Sequence, residues 1–150
     1  MIYLDSNVFI YFVEGRPEWA EPLKALFDSL LLHPGAAITS ELTLAEVLAP
    51  AKLGGARPPH IKRLYLDTIV WNRAISSRPV SRNIFYETAE LRKITGRKLP
   101  DAIHIVTAIN AKCRYFVSRD RDARKLRQGM DLAVPDQNGV NQMIEFLRAQ

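Results

Sequence analysis

The chain has one cysteine, Cys113, so it cannot close an internal disulfide, and the reading is a reduced, cytoplasmic protein. No apolar run approaches the roughly 18 residues of a membrane-spanning helix. The first apolar strand begins at Ile2, leaving no room for the charged and apolar regions of a signal peptide. Its three histidines, His33, His60 and His104, are scattered. With only Cys113 beside them they make no zinc ligand set, and His104 reads as a helix-surface or supporting residue. Repeats, low-complexity tracts and an inter-domain linker are also missing, so residues 1–150 are expected to form one domain.

Apolar side chains are plentiful, at 47% of the chain, enough for a sizeable core. Short apolar strands are expected at Ile2–Leu4, Ala37–Thr39, Tyr115–Ser118 and Leu132–Val134. Between them lie helical patterns: Asn7–Val13, Glu18–Leu32, about Glu41–Leu53, Pro58 to Ile69, a helix capped by Ser81 and ended by Gly96, one opened by Pro100, and Gly139–Leu147. Strands alternating with helices imply an α/β fold around a small parallel sheet. The helix around Leu42–Ala51 is apolar on nearly every side and is expected to be buried all round, with Glu46 its only charge.

Four acids stand out by position. Asp5 follows Ile2-Tyr3-Leu4; Glu46 lies inside that apolar helix; Asp101 opens the Asp-Ala-Ile-His-Ile-Val-Thr-Ala helix; Asp120 follows Tyr115-Phe-Val-Ser118. Taken singly, each has a structural explanation. Asp5 and Asp120 can cap the helices after them, Asp101 can complement a helix dipole beside Pro100, and Glu46 can pair with an arginine. Taken together, they would be aimed at one end of a parallel sheet, where ligands bind. Clustered carboxylates repel one another unless a divalent cation lies between them, and hard cations such as Mg²⁺ need few protein oxygens. Such a cation is what phosphodiester hydrolysis requires.

The net charge of +5 and pI near 9.6 agree with a polyanionic substrate. The basic residues are grouped. Arg92, Lys93, Arg97 and Lys98 precede Asp101 with no acid among them, and Arg114, Arg119, Arg121, Arg124, Lys125 and Arg127 surround Asp120. Solvated helix faces or an acidic protein partner would explain these runs as well.

Tyr3-Leu-Asp-Ser-Asn-Val8, Glu46 in its helix, Lys98-Leu-Pro-Asp-Ala-Ile-His-Ile-Val-Thr-Ala108 and Phe116-Val-Ser-Arg-Asp-Arg-Asp122 together resemble the PIN-domain ribonucleases. The likeness is to the VapC-type toxins of bacterial toxin–antitoxin pairs in particular, and it runs in order from Ile2 to about Leu126. It implies a three-layer α/β/α fold and a Mg²⁺- or Mn²⁺-dependent endoribonuclease. Asp5, Glu46, Asp101 and Asp120 would be its metal-binding and catalytic acids, with Asn7, Ser118 and Asp122 in support. Ala123 and Arg124 stand where many relatives carry an aromatic residue, so this loop departs from the pattern. RNA would be held through Arg97, Lys98, Arg119 and Arg121. A small antitoxin partner is implied, docking near Trp19, Leu23, Phe27 and Leu48, and a homodimer is expected. The alternatives are a housekeeping RNA-processing nuclease and a non-cleaving module that binds RNA or a partner. A haloacid-dehalogenase-like phosphatase would want an acid two residues after Asp5, where Asn7 stands.

Overall fold

A computed structural model describes residues 1–50, 55–120 and 129–150. Among these, the sheet is formed by β1 (Ile2–Leu4), β2 (Ala37–Ser40), β3 (Ile75–Arg78), β4 (Tyr115–Val117) and β5 (Asp131–Ala133). The strands run in the order β3-β2-β1-β4-β5 and every pairing is parallel. The helices are α1 (Ser6–Glu14), α2 (Pro17–Leu31), α3 (Leu42–Leu48), α4 (Pro59–Leu66), which runs into a π-helical turn at Asp67–Trp71, α5 (Arg82–Thr95), α6 (Leu99–Asn110) and α7 (Gln137–Arg148).

The central strand shows why the layers form. Ile2, Tyr3 and Leu4 are all fully buried, yet they point alternately to opposite faces, as the two-residue period of a strand demands. Ile2 and Leu4 join Val8, Phe9, Leu23, Leu26, Leu30, Met143 and Leu147, contributed by α1, α2 and α7. Tyr3 joins Ile38, Phe116, Ile105 and Ala108, against which α6 packs with α5 outside it. Helices therefore cover both faces of the sheet, giving three layers, α/β/α.

Two expectations needed correction. Residues 75–78 form a strand that the Ile-Ser-Ser-Arg sequence does not announce. β3 is an edge strand with only Ile75 buried, so hydrophobic patterning had nothing to act on. The helix carrying Glu46 spans Leu42–Leu48 and is less enclosed than its composition suggests: Thr43 and Val47 are buried, while Ala45 is exposed. Residues 51–54, where that helix was expected to continue, lie outside the described residues, as does the helix expected near Ala123. Ser81 and Gly96 act as read. The Ser81 hydroxyl accepts from the Ile84 N–H, and Gly96 takes the left-handed conformation, φ 66°, that ends α5.

Candidate active site

The strand order reverses at β1. The chain leaves β1 for β2 on one side and later returns to β4 on the other, so the connections following β1 and β4 diverge and open a crevice at their carboxyl ends. Asp5 is the first residue beyond β1, and Ser118 the first beyond β4. Register holds the two together, because the Asp5 N–H donates to the Val117 carbonyl at 3.1 Å.

Asp5 is both a cap and a member of this site. Its Oδ1 accepts from the Ser6 N–H at 2.7 Å at the start of α1, and its Oδ2 accepts from Asn7 Nδ2 and Ser118 Oγ, each at 2.7 Å. Asn7 also donates to Ser118 at 2.9 Å, and Ser118 Oγ accepts from the Asp120 N–H at 3.0 Å. The two supporting residues thus hold Asp5 rigidly and tie β1 to the turn that carries Asp120. Burial pushes the Asp5 carboxyl above its ordinary range, outweighing the charge of His104 and the donors Ser118 and Ser6. An ionised Asp5 is therefore under-compensated by what surrounds it.

Asp5, Asp101 and Asp120 line one narrow cleft with Arg97, His104, Ile105 and Phe116. Asp101 arrives from the first turn of α6, and Asp120 from the turn after β4. Glu46 does not line this cleft. Its side chain is more exposed than that of Asp5, and its Oε2 accepts a very short hydrogen bond from Ser6 Oγ and another from His104 Nε2 at 2.7 Å. Burial pushes the Glu46 carboxyl up, but the His104 and Ser6 hydrogen bonds outweigh it, and its pKa lies below the ordinary value.

His104 is not on a helix surface. It is 2% exposed, with Nδ1 2.7 Å from the Tyr3 hydroxyl and Nε2 3.8 Å from Asp5 Oδ1. Burial works to lower its pKa, yet the bond to Glu46 and the charges of Asp5, Glu46 and Asp101 raise it. Three positions that sequence reasoning passed over, Tyr3, Ser6 and Thr43, complete this polar cluster: Ser6 Oγ lies 3.2 Å from Thr43 Oγ1 and from His104 Nε2. Their signal was weak, since Tyr3 reads as a core aromatic and Ser6 and Thr43 as helix-start residues. The Asp101-x-x-His104 spacing was a better clue, because i and i+3 share one side of a helix.

The donors suit a hard cation: carboxylate oxygens dominate, and the one imidazole is already bonded to a carboxylate and a phenol. Among the described residues, no three His, Cys, Asp or Glu side chains stand close enough to share one ion as they are now placed. The chemistry of the donor set fits a divalent metal; its spacing is not a closed cage.

Of the basic residues, Arg97 reaches the cleft. Arg119 bonds the Asn7 carboxamide through its backbone N–H at 3.3 Å, but its guanidinium donates to the Tyr11 hydroxyl at 2.9 Å and lies over Trp19. Arg121 and Asp122 lie outside the described residues. Of the expected docking residues, Leu23 and Phe27 belong to the core, whereas Trp19 lines an open groove with Tyr11, Arg16 and Arg119.

The PIN domain profile matches residues 2–128 of the chain. Comparison with curated proteins gives no match. Among solved structures, a toxin–antitoxin complex from Klebsiella pneumoniae is similar at 24% identity and a TM-score of 0.62, covering 90% of this chain and 98% of that one. FitAB bound to an IR36 DNA fragment is similar at 23% identity and a TM-score of 0.62, covering 90% and 95%. VapBC2 from Rickettsia felis, bound to a DNA fragment from its promoter, is similar at 17% identity and the same TM-score, covering 89% and 98%. At these identities the three likenesses concern the fold.

Proposed function

The chain belongs to the PIN-domain family, and from that premise we propose that it is a Mg²⁺- or Mn²⁺-dependent endoribonuclease serving as the toxin of a toxin–antitoxin pair. The observation that carries the reading is the convergence of Asp5, Asp101 and Asp120, from three separate elements, on one cleft at the reversal point of the sheet. The toxin role is supported by the fold shared with a structure described as a toxin–antitoxin complex.

Asp5, Asp101 and Asp120 would hold the metal, with Glu46 completing the set. When bound, the ion would polarise the phosphodiester and neutralise the charge that develops during attack by water. The chain's own residues do the rest. Asn7 and Ser118 hold Asp5 by two hydrogen bonds, so it need not reorganise when charge develops. Arg97, at the cleft wall, would bind a phosphate oxygen, and Lys98 would meet the neighbouring backbone. Ile105 and Phe116 form the apolar part of the wall and limit the water that reaches Asp5. The antitoxin would be a small protein docking on the early helices, where Trp19 lines an open groove with Tyr11 and Arg16. A homodimer is part of the same proposal.

The test is cleavage of a single-stranded RNA by purified protein, with Mn²⁺ or with chelator. Cleavage should need the ion, and Asp101→Asn should lose at least 100-fold in rate, about 2.7 kcal/mol of barrier, while melting like the parent. Expression of the parent should arrest growth and expression of Asp101→Asn should not. Metal-independent cleavage, or a variant cutting at more than a tenth of the parental rate, overturns the assigned site. Harmless expression of an active enzyme overturns the toxin role and leaves RNA processing.

A further inference from the structure

Glu46 is the one acid of the proposed set that does not line the cleft, and among the described residues its Oε2 is held by Ser6 and His104. His104 is itself fixed at its other nitrogen. Its Nε2 lies 2.7 Å from Glu46 Oε2, a carboxylate oxygen that can only accept, so in the neutral ring Nδ1 is left to accept the Tyr3 hydroxyl proton at 2.7 Å. A ring whose Nδ1 accepts from Tyr3 carries its proton on Nε2, which faces Glu46. Should the ring gain a second proton, Nε2 still bears one, so the contact with Glu46 survives in either state.

We propose that His104, anchored by the Tyr3 hydroxyl at Nδ1, is a positioning residue that presents Nε2–H to Glu46 and sets that carboxylate beside Asp5. The inference rests on the nuclease reading and deepens it. α6 then supplies the cleft twice, with Asp101 at its wall and His104 one turn later beneath it. The cluster also explains why a histidine and a tyrosine are buried in an apolar layer containing Ile38, Ile105 and Phe116. Each of their polar atoms has a partner there, and the chain of contacts ends on a site residue. A partner that orients a metal-ligating carboxylate typically changes metal affinity or activity by about 10–100-fold.

The experiment compares His104→Leu, His104→Gln and Tyr3→Phe with the parent. Three quantities are measured: Mn²⁺ binding by electron paramagnetic resonance without RNA, kcat and KM on a single-stranded RNA, and the ring nitrogens of His104 by NMR. His104→Leu should weaken Mn²⁺ binding and lower kcat, each by about 10–100-fold, with KM within about threefold. His104→Gln should recover most of both losses, because its amide N–H can replace Nε2–H toward Glu46; Tyr3→Phe should fall between. In the parent, Nε2 should carry a proton throughout the folded pH range. A neutral ring protonated on Nδ1 overturns the proposal. So does a His104→Leu protein that binds Mn²⁺ and cuts like the parent, or a glutamine variant that folds yet fails as badly as leucine. Should His104→Leu not fold, the glutamine and Tyr3→Phe variants and the NMR of the parent decide between the outcomes. A parent that neither binds Mn²⁺ nor cuts RNA defeats the nuclease reading instead, an outcome separate from any of these.

Discussion

Asp5 shows how one carboxylate serves two purposes at the scale of a residue. Its Oδ1 accepts the Ser6 N–H at the head of α1, so the capping explanation is correct. Its Oδ2 is gripped by Asn7 and Ser118 and the residue lines the cleft, so capping does not exhaust its role. Glu14, at the far end of the same helix, is the contrasting case of a wholly structural acid. It accepts from the buried Tyr65 hydroxyl and from Arg57 Nε at 2.7 Å. Burial pushes its carboxyl up, but those two hydrogen bonds and the Arg57 charge outweigh it, and its pKa falls below the ordinary 4.5. A lowered carboxyl contributes stability that is complete above the unfolded-state pKa and fades as pH falls through the folded one. Glu14→Gln should therefore cost about 1 kcal/mol at pH 7, chiefly because the bonds from Tyr65 and Arg57 lose their charge-assisted character. The difference from the parent should shrink as pH drops below 4.5. Urea melts at pH 7 and pH 3.5 check this, and a gap that stays constant or widens toward acid contradicts it.

At the scale of elements, close backbone approach matters as much as patterning. α7 begins after Asp136, whose side chain accepts the Gly139 N–H at 2.9 Å. A Cβ added at Gly139 would lie 1.8 Å from the Val134 carbonyl oxygen, with no flexible side chain to move aside. Gly96 differs: nothing stands near its missing Cβ, but its φ of 66° disfavours other residues by about 1–2 kcal/mol. Gly139→Ala should thus destabilise the protein more than Gly96→Ala, because the first must displace the helix that buries Val140, Met143 and Leu147 in the core. Chemical denaturation of the two variants decides the ranking, and equal losses would show that α7 can shift freely.

At the scale of the whole molecule, the positive charge is unevenly placed. The Arg119 guanidinium lies against Tyr11 and Trp19 and Lys93 pairs with Glu90, and Arg97 lines the cleft. Neutralising Arg97 and Lys98 together should weaken binding of single-stranded RNA alike across sequences. The slope of log affinity against log salt should flatten by about 0.7 for each phosphate no longer neutralised by the protein. Binding isotherms at several salt concentrations measure it. An unaltered slope would take these residues out of the RNA path.

The sequence by itself determined the layers and the acids. A period of two in Ile2–Leu4 and stripes of leucine in α2 depend only on local geometry and on which side chains avoid water. Acids set just past apolar strands likewise mark the carboxyl end of a parallel sheet. Tertiary structure alone decided the partners. β3 exists because β2 offers it a free edge, not because Ile-Ser-Ser-Arg demands a strand. Trp19 faces a groove while Leu23 and Phe27 face the core, a distinction set by how α2 lies against α1 and α7. For His104 the sequence left a helix surface and a supporting place open, because polarity is legible in a sequence and the hydrogen bonds that make its burial tolerable are not. Those bonds come from Tyr3, 101 positions away, and Glu46, 58 away, and only the folded sheet brings them together.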